Sequence, residues 1–209
     1  MKILITGFSP FDNYDVNPSL EVLNALPDRI SDFDIIKVPV PTSFKQSSNK
    51  IVEAIKKYQP NAVLSIGQAG GRDAITPELV AINMDDARIA DNDGFAPESE
   101  SIHKDGENAY FSSLPVKQIA QRINNMGIKS RVSTTAGTFV CNHIMYESLY
   151  YISKKNLNVI AGFIHVPSNP AQVADDHGKS MNLSDEVAGI REAVKTISKY
   201  LSTKKGMLN

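Results

Sequence analysis

The segment N-V-I-A-G-F-I-H-V, residues Asn158 to Val166, is apolar on both faces of the β-strand that it predicts. Two further segments have the same character, K-I-L-I-T (Lys2–Thr6) and N-A-V-L-S-I (Asn61–Ile66), and each is followed by glycine. Strands that are apolar on both faces are typical of a parallel sheet covered by helices on each side. The three segments therefore predict the centre of an α/β fold.

Predicted helices alternate with these strands along the chain. A helix cap followed by proline, or a capping hydroxyl residue, opens most of them. Four helices are predicted from Asn17 to about Leu26, from Thr42 or Ser43 to about Tyr58, from Pro115 to about Met126 and from Ser184 to about Leu201; further strands are predicted over Phe33–Val38 and Leu79–Met84. This alternation predicts a three-layer α/β/α sandwich with a largely parallel, mixed central sheet.

Length and composition are those of a soluble protein, and we expect one domain over residues 1–209, with 203–209 as a frayed tail. The formal net charge of -1 argues against nucleic acid or an anionic membrane as a partner. No apolar run is long enough to span a bilayer, and the N-terminal run is too short for a secretory signal. A single cysteine permits no disulfide within the chain and indicates a reducing, cytoplasmic location.

The only cysteine, Cys141, lies in T-T-A-G-T-F-V-C-N-H-I-M-Y, residues Thr134 to Tyr146. Arg131–Thr135 is expected to be a short strand, and the apolar spacing after Cys141 predicts a helix. We therefore expect Cys141 just before a helix N-terminus, where free N–H groups and the positive end of the dipole favour a thiolate. The same groups would suit the oxyanion that forms when a thiolate attacks an amide. A small buried hydrophobic side chain is the ordinary alternative for a lone cysteine.

Several side chains with catalytic chemistry follow predicted strands. Ligands of open α/β sheets bind beyond the carboxyl ends of the strands. Four features are expected there: Phe8 with Phe11, the Gly67 loop with Glu78, Cys141 and His165. A cysteine, a histidine and a carboxylate that converge make a nucleophile, its base and the group that orients the base. Each residue also has a structural alternative, with His165 as a core histidine and Glu78 as the partner of Arg72 or Arg88. The residues alone leave these alternatives open.

Other motifs argue against phosphate and metal chemistry. The loop G-Q-A-G-G-R (67–72) is not followed by the lysine and hydroxyl residue of a P-loop, so it is a weak signal for phosphate binding. The sequence has no HExxH motif and no pair of cysteines, so zinc is not expected. Asp175-Asp176-His177 is better explained as a solvated turn than as a metal site. The polar segment Asp85–Asn108 is expected to be a long surface loop, and a lid is one role for it.

Two long segments resemble the signatures of the pyroglutamyl peptidase I family of cysteine peptidases. G-Q-A-G-G-R-D-A-I-T-P-E-L-V-A-I-N (Gly67–Asn83) is similar to the signature around the family's catalytic glutamate. S-T-T-A-G-T-F-V-C-N-H-I-M-Y (Ser133–Tyr146) is similar to the signature around its nucleophilic cysteine. Shorter segments match in the same order: T-G-F-S-P-F (Thr6–Phe11), V-N-P-S (Val16–Ser19), D-D-A-R-I (Asp85–Ile89) and G-F-I-H-V-P (Gly162–Pro167). The resemblance extends from Met1 to about the last helix.

The resemblance implies a phosphorylase/peptidyl-hydrolase-like sandwich and a catalytic triad of Cys141, His165 and Glu78. It also implies the hydrolysis of an N-terminal pyroglutamyl residue from a peptide through a thioester, with no cofactor and no metal. Family members are cytosolic and often assemble as dimers of dimers, so a homodimer or homotetramer is expected. Pyroglutamate is a neutral lactam, which needs a flat apolar slot with a few polar groups. The candidates for binding it are Phe8, Phe11, Asn17, Gln68, Arg88, Phe139 and Val140.

Two positions depart from the family pattern, and two other functions fit the same sheet. Leu79 stands where the family usually has a basic residue, and Ser168-Asn169 replaces a commonly aromatic position. A nucleoside phosphorylase or hydrolase would hold phosphate in the glycine loop and stack a base on Phe8 and Phe11. A non-catalytic module would bind blocked peptide N-termini without turnover.

Overall fold

The structure is a computed structural model that describes residues 1–11, 15–173 and 179–206. Within these residues, no helix combines the length and the apolar character that crossing a membrane requires. The strands are β1 (Lys2–Phe8), β2 (Arg29–Ile30), β3 (Phe33–Val40), β4 (Ala62–Gln68), β5 (Thr76–Pro77), β6 (Val80–Ile82), β7 (Ala109–Phe111) and β8 (Ile160–Val166). The helices are α1 (Pro18–Ala25), α2 (Phe44–Tyr58), α3 (Val116–Asn124), α4 (Val140–Lys154) and α5 (Leu183–Gly206).

The central sheet has the strand order β2-β3-β1-β4-β8-β5. Its middle strands β3, β1, β4 and β8 are parallel, whereas the short strands β2 and β5 run antiparallel at the two edges. β6 and β7 form a separate antiparallel pair. The predicted α/β fold with a largely parallel, mixed sheet is therefore confirmed, and β1, β4 and β8 are buried along almost their whole length.

The two faces of the sheet carry separate apolar clusters, and β8 contributes to both. Phe163 packs with side chains of α2 and α4, whereas its neighbour Ile164 packs on the other face with side chains of α1, α3 and α5. Successive side chains of a strand point to opposite faces, so an all-apolar strand is needed between two helix layers. Each fully buried side chain of this size contributes about 1.5–3 kcal/mol to folding.

The segment Arg131–Thr135 is not a strand, so that prediction was wrong. Backbone pairing here is limited to isolated bridges, one of them between Ser133 and Glu78. Side-chain oxygens take up neighbouring backbone groups instead: Ser133 Oγ donates to Thr135 O at 3.1 Å, and Thr135 Oγ1 accepts from Gly137 N at 3.1 Å. Local bonds of this kind compete with the regular ladder of a sheet.

Element ends also differ from the predictions. The strand predicted over Leu79–Met84 is the shorter β6, and it lies outside the central sheet. The last helix continues to Gly206, so Thr203–Gly206 is helical rather than a frayed tail. Residues 207–209 and Asp175-Asp176-His177 lie outside the described residues.

The segment Asp85–Asn108 has neither helix nor strand, as predicted, but it is attached to the sandwich at several points. Asp91 Oδ2 accepts a hydrogen bond from Phe44 N at the start of α2, at 2.9 Å. Farther along, His103 Nε2 lies 2.6 Å from Glu147 Oε2 on α4. The loop therefore crosses from the beginning of α2 to α4, and its action as a lid stays a prediction.

Candidate active site

His165 and Glu78 form a buried hydrogen-bonded pair at the carboxyl end of the sheet. His165 is the penultimate residue of β8, where it stands opposite Gly67 of β4 and Thr76 of β5. Glu78 follows β5, and its Oε1 lies 2.7 Å from His165 Nδ1. Glu78 is 0% exposed and His165 4%. A strand of two residues, β5, thus brings a carboxylate against a histidine that is distant in the chain.

Arg72 holds the carboxylate from its other side. Its Nη1 donates to Glu78 Oε1 at 2.7 Å and to Thr76 Oγ1 at 2.5 Å, and its Nη2 donates to Thr135 O at 3.3 Å. The sequence left Arg72 and Arg88 open as structural partners of Glu78, and the pair is made by Arg72. A hydrogen bond between two ionised groups is about twice as strong as one between neutral groups.

Cys141 is the second residue of α4, so it lies inside the first helical turn rather than just before the helix as predicted. Its thiol approaches the backbone of β4 closely: a Cβ added to Gly67 would lie 2.9 Å from Sγ. Gly67 is the residue that pairs with His165 across the sheet, so the sulfur and the imidazole flank the same position. Only glycine leaves room for this approach. Sγ and the imidazole are not hydrogen-bonded in this structure.

Burial is the largest influence on the ionisation of all three side chains. The pKa of the Cys141 thiol is raised to about 12, mainly by burial and also by the Glu78 charge, while the Arg72 charge opposes the rise. Burial also lowers the pKa of His165 below its usual value, against the opposing effect of Glu78. For Glu78 burial acts to raise the pKa, but the interaction with His165 and the hydrogen bonds from Ser133 and Arg72 outweigh it, and the pKa is lowered.

The resting site therefore contains a protonated thiol, a neutral imidazole and a carboxylate. The N–H groups at the start of α4 favour the thiolate and act against the effect of burial. Because Glu78 Oε1 is within hydrogen-bond distance of Nδ1, the neutral imidazole carries its proton on Nδ1, and Nε2 is left as the acceptor. This arrangement suits a proton transfer from sulfur to nitrogen at the moment of attack.

A cavity of about 240 Å³ opens beside the thiol. The residues that line it include five of the predicted binding residues together with Cys141. The full lining is Phe8, Phe11, Val16, Asn17, Thr42, Gln68, Gly70, Phe139, Cys141 and Ser168. The rings of Phe11 and Phe139 lie 5.2 Å apart with an interplanar angle of 51°. Three phenylalanines thus contribute to a mainly apolar wall that also contains a few polar groups.

The two predicted polar residues of the cavity are already engaged by the protein. Asn17 caps α1 through Oδ1, which accepts from Ser19 N at 3.0 Å. Gln68 Nε2 donates to Ser168 Oγ and to Gln172 Oε1, each at 3.0 Å. An amide nitrogen has two hydrogens, so both are used, and the Gln68 group left for a ligand is the acceptor Oε1.

Two predicted binding residues are not brought to the cavity. Arg88 is exposed on the 85–108 loop, and Val140 is fully buried in the apolar cluster under α4. The prediction also left out Val16, Thr42, Gly70 and Ser168, which do line the cavity. The rule that ligands bind beyond strand ends could have found Thr42, because it follows β3 as Gly70 follows β4. Among the described residues, no cluster of His, Cys, Asp and Glu side chains is arranged to hold a metal ion.

An α/β sandwich with a free thiol next to a buried histidine and glutamate defines the class of protein: the chain is a cysteine-type hydrolase acting on peptide bonds. The family model for pyroglutamyl peptidase matches residues 1–200, and the chain belongs to that family. The resemblance found in the sequence is thereby confirmed.

Curated relatives and solved structures agree with this assignment. The pyrrolidone-carboxylate peptidase of Clostridium perfringens is 51% identical over 198 residues, which cover 94% of this chain and 93% of the relative. That of Brachyspira hyodysenteriae is 49% identical over 96% of this chain and 100% of the relative. The crystal structure of Bacillus amyloliquefaciens pyroglutamyl peptidase I superimposes with a TM-score of 0.91 at 42% identity, covering 95% of this chain and 97% of the other. The pyrrolidone carboxyl peptidase of Thermococcus litoralis superimposes with a TM-score of 0.94 at 34% identity, covering 97% of this chain and 96% of the other.

Proposed function

We propose that this enzyme hydrolyses the bond between an N-terminal L-pyroglutamyl residue and the rest of a peptide, using Cys141, His165 and Glu78 as a triad. The observation that carries the proposal is the fully buried Glu78–His165 pair, which lies at the same point of the sheet as the only thiol of the chain. The names of the relatives, pyrrolidone-carboxylate peptidases, support the choice of substrate.

The reaction begins when the S–H proton of Cys141 moves to His165 Nε2 as Sγ bonds to the pyroglutamyl carbonyl carbon. The carbonyl oxygen becomes an oxyanion, which the free N–H groups at the start of α4 stabilise. Glu78 keeps the imidazole in the required tautomer and stabilises the imidazolium that forms. The imidazolium then protonates the peptide nitrogen as the C–N bond breaks, leaving a pyroglutamyl thioester.

Water completes the cycle. The imidazole removes a proton from a water molecule, which attacks the thioester carbonyl carbon, and the thiol is regenerated as pyroglutamate leaves. Because the pKa of His165 is lowered, the neutral imidazole persists to lower pH than an ordinary histidine. We expect the acidic limb of the kcat/KM profile to lie below the usual range for histidine.

The cavity suits a neutral five-membered lactam. Phe8, Phe11 and Phe139 provide apolar walls for the ring, and Gln68 Oε1 is free to accept the lactam N–H. None of the described residues that line the cavity is a carboxylate, so a free α-ammonium group would find no partner among them. We therefore expect strong preference for pyroglutamate over proline, which has the same ring size but a charged nitrogen.

The setting and assembly of the enzyme are part of the proposal. A nucleophilic thiol stays reduced in the cytoplasm, which supports the predicted cytoplasmic location. The expected homodimer or homotetramer stays a prediction, which light scattering on the purified protein would decide.

The direct test is the release of a chromophore from a pyroglutamyl amide under reducing conditions. Alkylation of the thiol and the Cys141→Ala substitution are each expected to abolish release while circular dichroism remains unchanged. His165→Ala should have a similar effect, whereas His103→Ala, which removes another histidine from a histidine–glutamate pair, should leave most activity. Turnover that survives alkylation would exclude Cys141 as the nucleophile.

The two other functions give different results in the same preparation. A nucleoside phosphorylase would release base in a phosphate-dependent reaction that alkylation does not affect. A binding module would bind a pyroglutamyl amide without cleaving it.

A further inference from the structure

We propose that Arg72 is a positioning residue of this active site, which fixes the Glu78 carboxylate and ties it to the turn that leads to Cys141. This inference rests on the proposed function and adds a residue that acts through Glu78 rather than on the substrate. Arg72 does not line the cavity. Its side chain is 24% exposed, whereas the carboxylate that it holds is completely buried.

One guanidinium bonds to three residues, which lie on two separate segments of the chain. Nη1 bonds to Glu78 Oε1 and to the Thr76 hydroxyl on β5, and Nη2 bonds to the Thr135 carbonyl oxygen. The planar guanidinium holds its N–H groups at fixed angles, so these contacts constrain one another. A lysine ammonium is a single point and cannot span the same acceptors.

Glu78 has few other contacts, although the Ser133 hydroxyl also helps to lower its pKa. Oε1 is shared between His165 and Arg72, and Oε2 is buried with no hydrogen-bond partner among the described residues. A carboxylate with one unpartnered oxygen could rotate or take up a proton. Arg72 restrains the rotation by holding Oε1, and its hydrogen bond favours the ionised form that His165 requires.

The contact with Thr135 extends the same restraint toward the nucleophile. Thr135 O also accepts from Ser133 Oγ, and Thr135 Oγ1 accepts from the N–H of Gly137, which has φ +79°. This turn leads directly into α4 and Cys141. Arg72 is therefore a bridge between the orienting carboxylate and the segment that carries the thiol.

Position and charge can be separated by experiment because Cys141 is the only cysteine and can be alkylated selectively. The positive charge of Arg72 lowers the pKa of both Cys141 and His165. Arg72→Lys retains the charge and loses the span of the guanidinium, whereas Arg72→Met loses both. The matched controls are Arg131→Lys and Arg131→Met, since Arg131 forms an exposed ion pair with Asp73 and does not contact Glu78.

The readouts are kcat, KM and the rate of alkylation by iodoacetamide at one fixed pH. For Arg72→Lys we expect kcat to fall about 10- to 100-fold, with KM and the alkylation rate within about twofold of the wild type. For Arg72→Met we expect at least the same loss of kcat and a three- to tenfold slower alkylation, since one pKa unit is a tenfold change in thiolate. The Arg131 variants should match the wild type in all three.

A kcat for both Arg72 variants within about twofold of their Arg131 counterparts would overturn the proposal. Thermal denaturation identifies a variant that fails to fold. If Arg72→Met fails to fold, the kcat of Arg72→Lys alone tests the positioning role. If the wild type does not cleave a pyroglutamyl amide, the proposed function fails, and the ¹⁵N chemical shift of His165 Nδ1 replaces kcat as the readout. A shift unchanged in Arg72→Lys would then overturn the positioning role, and a changed shift would support it.

Discussion

Glu78 and Glu186 are both 0% exposed, yet their ionisation is displaced in opposite directions. The pKa of Glu78 is lowered, whereas the pKa of Glu186 is raised to about 8. Burial acts in the same direction on both, because removing water disfavours the charged form of any carboxyl group. The difference must therefore come from their neighbours.

The neighbours of the two glutamates carry opposite charge. Oε1 of Glu78 is 2.7 Å from the arginine Nη1 and 2.7 Å from the histidine Nδ1. Glu186, near the start of α5, has both oxygens buried, and neither has a hydrogen-bond partner among the residues that the structure describes. Burial is the main cause of its raised pKa, and the charges of Glu21 and Asp185 add to it. A buried carboxylate thus stays ionised only where cationic or donor groups surround it.

Under the proposed mechanism, this contrast separates a carboxylate that orients a histidine from one that reduces stability. Glu78 is held charged 2.7 Å from His165 Nδ1. With its pKa raised to about 8, Glu186 is mostly protonated in the folded protein at neutral pH, although it is ionised there in the unfolded chain. Its protonation on folding makes the native state less stable as the pH rises.

The largest effect is expected from Glu78→Gln, which removes the charge but keeps the shape. The amide can orient His165 in the wrong tautomer, and the imidazolium loses its counter-charge. By comparison with the aspartate of serine proteases, we expect kcat to fall about 10³- to 10⁴-fold. Steady-state hydrolysis of a pyroglutamyl amide measures this, with Glu147→Gln as the matched control because Glu147 pairs with His103 outside the site. A loss below tenfold would contradict an orienting role for Glu78.

A smaller effect, on stability rather than activity, is expected from Glu186→Gln. The pKa of Glu186 rises from the ordinary 4.5 to about 8 on folding. Between these two pH values the unfolded chain has lost the proton that the native state keeps. The free energy of unfolding of the wild type therefore falls as the pH rises through this window, and the unfavourable contribution of Glu186 is constant above it. Between pH 4.5 and 8 the free energy of unfolding of the variant, relative to that of the wild type, should therefore increase by on the order of a few kcal/mol.

Urea unfolding of both proteins at a series of pH values measures that difference. The exposed Glu53→Gln on α2 is the control for the loss of a carboxylate in general. Activity at neutral pH should be unchanged, because Glu186 does not line the cavity. A stability difference that does not vary with pH would mean that Glu186 is ionised in the native state.

The smallest effect is expected from Glu21→Gln, which removes one of the charges acting on Glu186. The pKa of Glu186 should move down while remaining above its ordinary value, because burial is the larger cause. We expect the pKa of Glu186 to fall by about one unit or less. This corresponds to an increase of about 1 kcal/mol in the free energy of unfolding above pH 8. The glutamine oxygen can still accept the hydrogen bond that Asn169 Nδ2 donates to Glu21. Carboxyl ¹³C titration of Glu186 measures the shift; a pKa that returned to 4.5 would mean that charge, not burial, dominates.

Much of the site could be predicted from the sequence. Phe8, Phe11 and Gln68 were placed correctly at the cavity because they follow or end strands of an open sheet, where the strand carboxyl ends meet. Arg88 does not line the cavity, since proximity to a matching motif does not determine the direction of an exposed loop, and a role for it stays a prediction. Arg72 was available in the glycine loop, but only its hydrogen bonds distinguish it from an ordinary surface cation.

The sequence by itself determined the alternation of the main strands with the helices, the apolar centre of the sheet and the presence of a single thiol. These properties depend on local patterns, such as apolar runs, caps and glycines, that are visible over a few residues. Tertiary structure alone decided which glutamate is ionised and which cation holds it. Glu78 and His165 are 87 positions apart in the chain, and their pKa values depend on burial and on distances of a few ångströms, which exist only once the chain has folded.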